Sequence, residues 1–376
     1  MRFSDIHGLE ATKKQLVAIA QRNRVAHAQL FSGIEGSALL PMALAYATYL
    51  NCTNPSATDA CGVCDSCSKC LKYIHPDVHF IFPVSGTEDV KVKDALSKVF
   101  LPSWRKFLLD NPYGNLNDWA MVFGGENKQL TIYTKESREI IDALSLTAFE
   151  GKYKIMLIWT PELMHPNAAN SILKILEEPS GNTVFLLVSP DKERLLGTIR
   201  SRTQLILIPP FTDDELLHIL VNQNEVEREK AKHLVQLSGG SLRTALNLGE
   251  DTDLNLHTMF IDWMRNCFSN RFGEAAADAE KFYALTKSAQ KTLLLYGLEI
   301  LRESLVAGYD DNKLLRVNGV EKEFVVNFSK TLSTDIIKQV SDKLSEAHYH
   351  LERNANAKMI FMNLSILISR LFKIRK

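Results

Sequence analysis

The chain has 376 residues, 45% of them hydrophobic, and its 44 Lys+Arg balance 44 Asp+Glu. That length predicts two or three domains with sizeable cores, and zero net charge excludes a globally basic nucleic-acid binder while leaving room for a local basic face. No window approaches the roughly 18 apolar residues of a membrane span, and Met1-Arg2-Phe3-Ser4-Asp5 has no apolar signal core. A cytoplasmic protein without a membrane partner is expected.

Residues 1–210 read as an α/β domain. Short apolar runs at 27–32, 78–83, 154–159, 183–189 and 205–208 predict strands. Helical stretches separate several of them, as at 41–50, and this alternation argues for a mostly parallel sheet with crossover helices.

After the first strand, Gly33-Ile34-Glu35-Gly36-Ser37-Ala38-Leu39-Leu40 opens a helix. That is the context of a phosphate loop, G-x-x-x-x-G-K-[ST]. Gly33 fits the first glycine. Ala38 stands where the second glycine belongs, Leu39 where the lysine belongs, and Leu40 where the hydroxyl that ligates magnesium belongs. Leucine supplies neither the charge for the β/γ-phosphates nor a metal ligand. Taken alone, the segment equally fits an ordinary glycine-rich strand–helix turn.

Five of the six cysteines fall between Cys52 and Cys70. Cys52, Cys61, Cys64 and Cys67 have the spacing C-x8-C-x2-C-x2-C, which lets the chain fold back and present four thiolates to one tetrahedral ion. In a reducing compartment this favours metal over disulfides, and four thiolates leave no open position, so a structural zinc is expected. Cys70 extends the x2 spacing and is an alternative to Cys52; His75 is a weaker substitute. His75-Pro76-Asp77 reads instead as the entry to the second strand.

Residues 85–129 interrupt the α/β rhythm and read as an insertion. One helix is expected at 90–109, followed by a loop rich in Asn, Gly and Asp, with Trp104 and Trp119 packing the insertion onto the body. The strand at 154–159 then ends in Trp159-Thr160, where a phosphate-loop ATPase carries an Asp for magnesium followed by a Glu. Two halves of one ATP site are missing together, so no nucleotide is expected.

Thr198-Ile199-Arg200-Ser201-Arg202-Thr203 lies between a turn and the last strand. Arg202 there is either a solvated surface residue or a guanidinium aimed at a neighbouring subunit's γ-phosphate. Pro209-Pro210 closes the domain. Thr212-Asp213-Asp214-Glu215 makes a capping box, and a small helical domain is expected at 211–250, with Arg243 as an ion-pair partner. Residues 251–376 read as long amphipathic helices. Leu294, Leu298, Leu301 and Leu305 recur at helical spacing, Cys267 reads as core, and Arg370, Lys373, Arg375 and Lys376 as a solvated helix end.

Together these residues resemble the bacterial DNA polymerase III clamp-loader family of AAA+ ATPases. Phe3-Ser4-Asp5-Ile6-His7-Gly8 looks like its N-terminal box, and His27-Ala28-Gln29-Leu30-Phe31-Ser32-Gly33 like its lead-in to the phosphate loop. The cysteine spacing matches its zinc module. The run from Asn170 to Pro179 resembles the helix after its second ATP motif, and Ser201-Arg202 its Ser-Arg-Cys motif, with Thr203 replacing the cysteine. The match covers about 1–84 and 130–250 well, 251–376 loosely, and the insertion not at all. A kept zinc module and Ser-Arg beside a ruined ATP site is the pattern of the family's non-hydrolysing subunit type.

The resemblance implies an AAA+ α/β module with a helical lid and a C-terminal all-α collar. The chain would sit in a hetero-pentamer with motor (gamma/tau-type) and delta-type subunits that loads a sliding clamp on primer–template DNA. Arg202, with Ser201, would complete the neighbour's ATP site. The alternatives are an active ATPase with an unusual phosphate loop and a stand-alone DNA-binding module.

Overall fold

The structure, a computed structural model, describes all residues except 127, 146, 180, 251–255, 270, 310–314, 316, 318, 353–354 and 374–376. Arg375 and Lys376 thus lie outside the described residues, as does Asn127 of the insertion. The chain divides into two compact units, Met1–Ile219 with Gly240–Arg243 and Leu220–Gly239 with Thr244–Lys376.

In the first unit α1 (Glu10–Gln21) precedes β1 (Ala28–Ser32), α2 (Leu39–Asn51), α3 (Asp65–Leu71), β2 (Val78–Ile81), α4 (Leu101–Asp110), α5 (Leu116–Phe123) and α6 (Glu136–Ser145). Then come β3 (Lys154–Trp159), α7 (Pro166–Glu177), β4 (Thr183–Ser189), α8 (Gly197–Arg200) and β5 (Gln204–Leu207). The five strands form one parallel sheet in the order β2-β3-β4-β1-β5. Every residue of β1, β3 and β4 is buried. Their unbroken apolar runs follow from this, because helices cover both faces of a parallel sheet. One face packs Leu30, Met156, Ile158, Phe185 and Leu187 against Ile140, Ile172 and Leu176 of the helices. This is the α/β sheet expected of an AAA+ module, and β3 and β4 have the expected bounds.

The insertion differs from its expectation twice. The single helix expected at 90–109 is two 3-10 turns, Val92–Asp94 and Ser97–Phe100, followed by α4. Pro102 sits in the first turn of α4. Proline suits that place because its missing N–H would be unpaired there, whereas mid-helix it breaks the ladder. Ser97 is diverted to the sheet: its hydroxyl donates to Phe82 O at 3.0 Å and accepts from Phe82 N at 3.1 Å. The Asn/Gly/Asp stretch expected as loop contains α5. Its start is a capping box in which Asn115 Oδ1 accepts from Asp118 N (3.2 Å) and Asp118 Oδ2 accepts from Asn115 N (2.8 Å).

The capping box expected at Thr212 starts α9 (Asp213–Asn222): Thr212 N donates to Glu215 Oε2 at 2.9 Å and Glu215 N to Thr212 Oγ1 at 3.3 Å. The same carboxylate accepts from Leu9 N at 2.7 Å, which ties the residues before α1 to this turn.

The helices that follow are α10 (Arg228–Ser238), α11 (Leu242–Glu250), α12 (Leu256–Phe268), α13 (Phe272–Ala284), α14 (Lys287–Tyr309), α15 (Gly319–Thr331), α16 (Thr334–Glu352) and α17 (Ala357–Lys373). The second unit is all-α among its described residues. Phe361 of α17 stacks on Trp263 (4.4 Å between centroids) and Phe282 (4.3 Å), and Trp263 Nε1 donates to Ser365 Oγ at 2.8 Å. Cys267 is buried, as expected of a core residue. No described helix is long and apolar enough to cross a membrane.

Candidate functional site

The loop between β1 and α2 is closed on itself. Arg243 N donates to Gly36 O at 3.2 Å, and the Ser37 hydroxyl donates to Ile34 O at 2.8 Å. Gly36 has φ +74°, and a Cβ there would stand 2.4 Å from Ser241 Oγ and 2.8 Å from Arg243 Cβ. Only glycine meets both demands. Beneath the loop, Ala38, Leu39 and Leu40 are buried. Gly33 approaches Ile208 so closely that a Cβ would lie 2.2 Å from its carbonyl oxygen. Leu39 and Leu40 put buried hydrocarbon at the chain positions where a phosphate loop carries its lysine and its magnesium-binding hydroxyl.

The end of β3 is filled in the same way. Trp159 is buried, with its ring centroid 5.1 Å from Trp104 and 5.8 Å from Phe107, both on α4. Trp104 in turn stacks on Phe82 at 4.3 Å and meets Trp119 of α5 edge-on at 5.1 Å. The expected packing roles of Trp104 and Trp119 are thereby met. Thr160 takes a left-handed conformation, and its N–H donates to Val188 O at 2.8 Å. The carboxylate nearest in sequence is Glu162, which no motif singles out. Burial pushes its carboxyl up to about 7, against the opposing pull of a Ser189 hydrogen bond.

Arg243 is an ion-pair partner, as expected, and a carboxylate of the insertion pairs with it. Nε donates to Asp118 Oδ2 at 2.5 Å and Nη2 to Asp118 Oδ1 at 2.8 Å. The Asn115-x-x-Asp118 capping pattern is a local signal for the start of α5 in a stretch expected as loop; nothing local signals the pairing.

The four cysteines converge. The Sγ atoms of Cys52, Cys61, Cys64 and Cys67 all lie within 4.8 Å of one another, and those of Cys61 and Cys67 are 3.9 Å apart. Four sulfurs around a zinc at about 2.3 Å would be roughly 3.8 Å apart, so the cluster could hold a metal ion. Backbone amides are already aimed at the sulfurs: Cys61 N to Cys52 Sγ (3.2 Å), Cys64 N to Cys61 Sγ (3.4 Å) and Cys67 N to Cys64 Sγ (3.4 Å). Gly62, at φ +75°, makes the turn between Cys61 and Cys64. Hydrogen bonds from the Val63 and Cys64 amides lower the Cys61 thiol. At Cys64 burial raises the thiol, but bonds from Thr53 and Cys67 outweigh it and bring it to about 6. Cys70, pushed up to about 12 by burial, does not join the four, and neither does His75. His75 Nδ1 accepts from Asp77 N at 3.1 Å, and the Asp77 carboxylate accepts from the amides of Phe149, Glu150 and Gly151 at 2.6–2.9 Å. The segment shapes the entry to β2, as expected. Asp59 accepts from Phe3 N (3.0 Å) and Ser4 N (2.8 Å), which pins the N-terminal turn to the cysteine loop.

Arg202 stands between α8 and β5 with its side chain one-third (33%) exposed. Its Nε donates to Glu177 Oε1 at 2.5 Å, Nη2 contacts the same oxygen, and Nη1 donates to Thr198 O at 2.8 Å and to Ser201 Oγ at 3.4 Å. Glu177 is the last residue of α7, and no local pattern in the sequence connects it to the arginine.

A family model described as DNA polymerase III, delta subunit, matches residues 8–212. DNA polymerase III subunit delta' of Pseudomonas aeruginosa is 30% identical over 228 residues, which is 60% of this chain and 57% of that protein. The delta' subunit of Escherichia coli is 27% identical over 235 residues, 62% of this chain and 58% of that protein. DNA polymerase III subunit gamma/tau of Mycobacterium tuberculosis is 26% identical over 251 residues, 65% of this chain and 36% of that protein. The similarity therefore spans less than two thirds of these relatives' length. Among solved structures, a DNA polymerase III gamma subunit-related protein of Thermotoga maritima is similar at a TM-score of 0.41 and 15% identity, over 95% of this chain and 99% of that one.

Proposed function

The chain belongs to the DNA polymerase III delta-subunit family, and we propose that it is a delta-prime-type clamp-loader subunit that hydrolyses no ATP and completes a neighbour's ATP site with Arg202. Its partners would be motor (gamma/tau-type) and delta-type subunits, acting together on a sliding clamp and primer–template DNA. The α/β module, a lid at 211–250 and a collar at 251–376 would be its working parts.

The observation that carries this reading is Arg202. The guanidinium sits at the surface with Nε and Nη2 on Glu177 and Nη1 on Thr198, so its plane is fixed while it stays within reach of another molecule. A γ-phosphate would take this fork of donors by displacing Glu177 from the Nε/Nη2 edge, and an arginine supplied in trans can carry a large share of a phosphoryl-transfer rate. Ser201 adds a hydroxyl contact to the same guanidinium. The chain's own site offers Leu39, Leu40 and Trp159 where lysine, hydroxyl and carboxylate are needed, which supports the non-hydrolysing role over an ATPase with an unusual loop.

The cysteine cluster would hold a structural zinc through Cys52, Cys61, Cys64 and Cys67. When bound, the ion would cross-link the loop after α2 to α3, and Asp59 would pass that order on to the N-terminal turn. Four thiolates leave no position for substrate or water.

Titrating the isolated chain with ATP and magnesium tests the first half: no binding at micromolar nucleotide is expected. Measuring ATP turnover in an assembly rebuilt with its motor subunit tests the second: Arg202→Ala should fold normally and lower it. Unchanged turnover would overturn the arginine's role.

A further inference from the structure

Asp118 and Trp119 are consecutive on α5, in the segment that interrupts the α/β rhythm. Trp119 is fully buried against Trp104, and its Nε1 donates to Pro83 O at 2.8 Å. Trp104 also meets Trp159 at a tilt, 5.1 Å between centroids, at the chain position where a magnesium-binding carboxylate would stand. Asp118 points to Arg243, whose backbone abuts the closed loop at Gly36. Through Trp104 and Arg243, this turn of helix is linked to both the end of β3 and the loop at Gly36.

The Asp118–Arg243 contact is built like a ligand contact. Each carboxylate oxygen takes its own donor, at 2.5 and 2.8 Å, in the two-point geometry by which arginine binds carboxylates and phosphates. Both side chains are only 21% exposed. The carboxylate is also held in place beforehand, since Asp118 Oδ2 accepts from Asn115 N and Asp118 N donates to Asn115 Oδ1. The carboxylate is thereby pre-organised for Arg243.

We propose that the insertion is a built-in ligand, in which the Asp118 carboxylate occupies the anion position of Arg243 and the Trp104–Trp119 pair fills the metal position at Trp159. The degenerate site is then occupied permanently by the chain itself. Its fixed state requires no nucleotide, which suits a subunit that does not cycle. This rests on the reading that the chain takes up no ATP of its own, and it is independent of Arg202.

Removing the carboxylate should turn Arg243 into a site for a free anion. The probe is inorganic phosphate against chloride at equal ionic strength, read by thermal unfolding of the full chain. Asp118→Ala should melt lower than the parent and regain stability with phosphate in a saturable way, by about 2–3 °C at ten times the dissociation constant. The parent should not respond, and Arg243→Gln in the Asp118→Ala background should abolish the response. Asp118→Asn keeps an acceptor for the capping box and gives the same readout if the alanine variant does not fold. A phosphate response equal in parent and variants, or one that survives Arg243→Gln, would overturn the proposal. ATP binding by the parent chain would instead overturn the reading beneath it.

Discussion

The Arg202 guanidinium is clasped by Glu177, 25 residues earlier in the chain, with Nε 2.5 Å from Oε1. The pair is exposed, 33% for the arginine and 47% for the glutamate. Its worth to stability is therefore small, under about 1 kcal/mol. What it fixes is direction. Arg202→Ala should leave the melting temperature nearly unchanged and lower turnover of the rebuilt assembly by about tenfold or more. Glu177→Gln keeps the shape but not the charge and should give a smaller loss. Steady-state ATPase measurements alongside thermal unfolding check both.

The cysteine cluster predicts about one zinc per chain by elemental analysis. Cys64→Ser should abolish retention, while Cys70→Ser should keep it, because only the former belongs to the converging four. Stripping the metal with a chelator should expose the N-terminal turn pinned by Asp59, which limited proteolysis would detect. Structural zinc contributes folding free energy directly.

Restoring the lysine alone should not restore the ATP site. Leu39 is 5% exposed, and Leu39→Lys would bury an unpaired ammonium at a cost of several kcal/mol. The variant should melt well below the parent and still fail to bind ATP in a titration. Micromolar binding by this single variant would show that the pocket is open and the leucine the only obstacle.

Glu162 gives stability a pH dependence with a definite sign. Burial raises its folded-state carboxyl to about 7, above the usual carboxylate range near 4. The protonated form is favoured by folding, so its contribution is fully present below about pH 4 and is lost as pH rises through 7. Glu162→Gln should remove that loss, and the melting temperatures of variant and parent should diverge in the variant's favour between pH 5 and 8. Parallel curves would refute the shift.

Some of this protein is decided locally and is therefore legible in the chain itself. The bounds of β3 and β4 follow from apolar runs that a sheet covered on both faces requires. The box at Thr212 and Glu215 needs only a spacing of three. The four-cysteine cluster needs only short loops and a glycine, and the missing lysine and carboxylate are plain at Leu39 and Trp159. Other features depend on residues far apart in sequence, which no periodicity or propensity connects. Asp118 meets Arg243 across 125 positions and Asp59 meets Phe3 across 56. The insertion shows the difference within one segment. Its tryptophans are apolar enough to announce burial, but which surface they bury against is set by where the strand ends fall. Sequence by itself determined that Leu39, Leu40 and Trp159 stand where a phosphate loop and its second motif carry lysine, hydroxyl and carboxylate; only the tertiary structure decided what packs around them, because a carboxylate becomes an arginine's partner when the fold brings the two within about 3 Å.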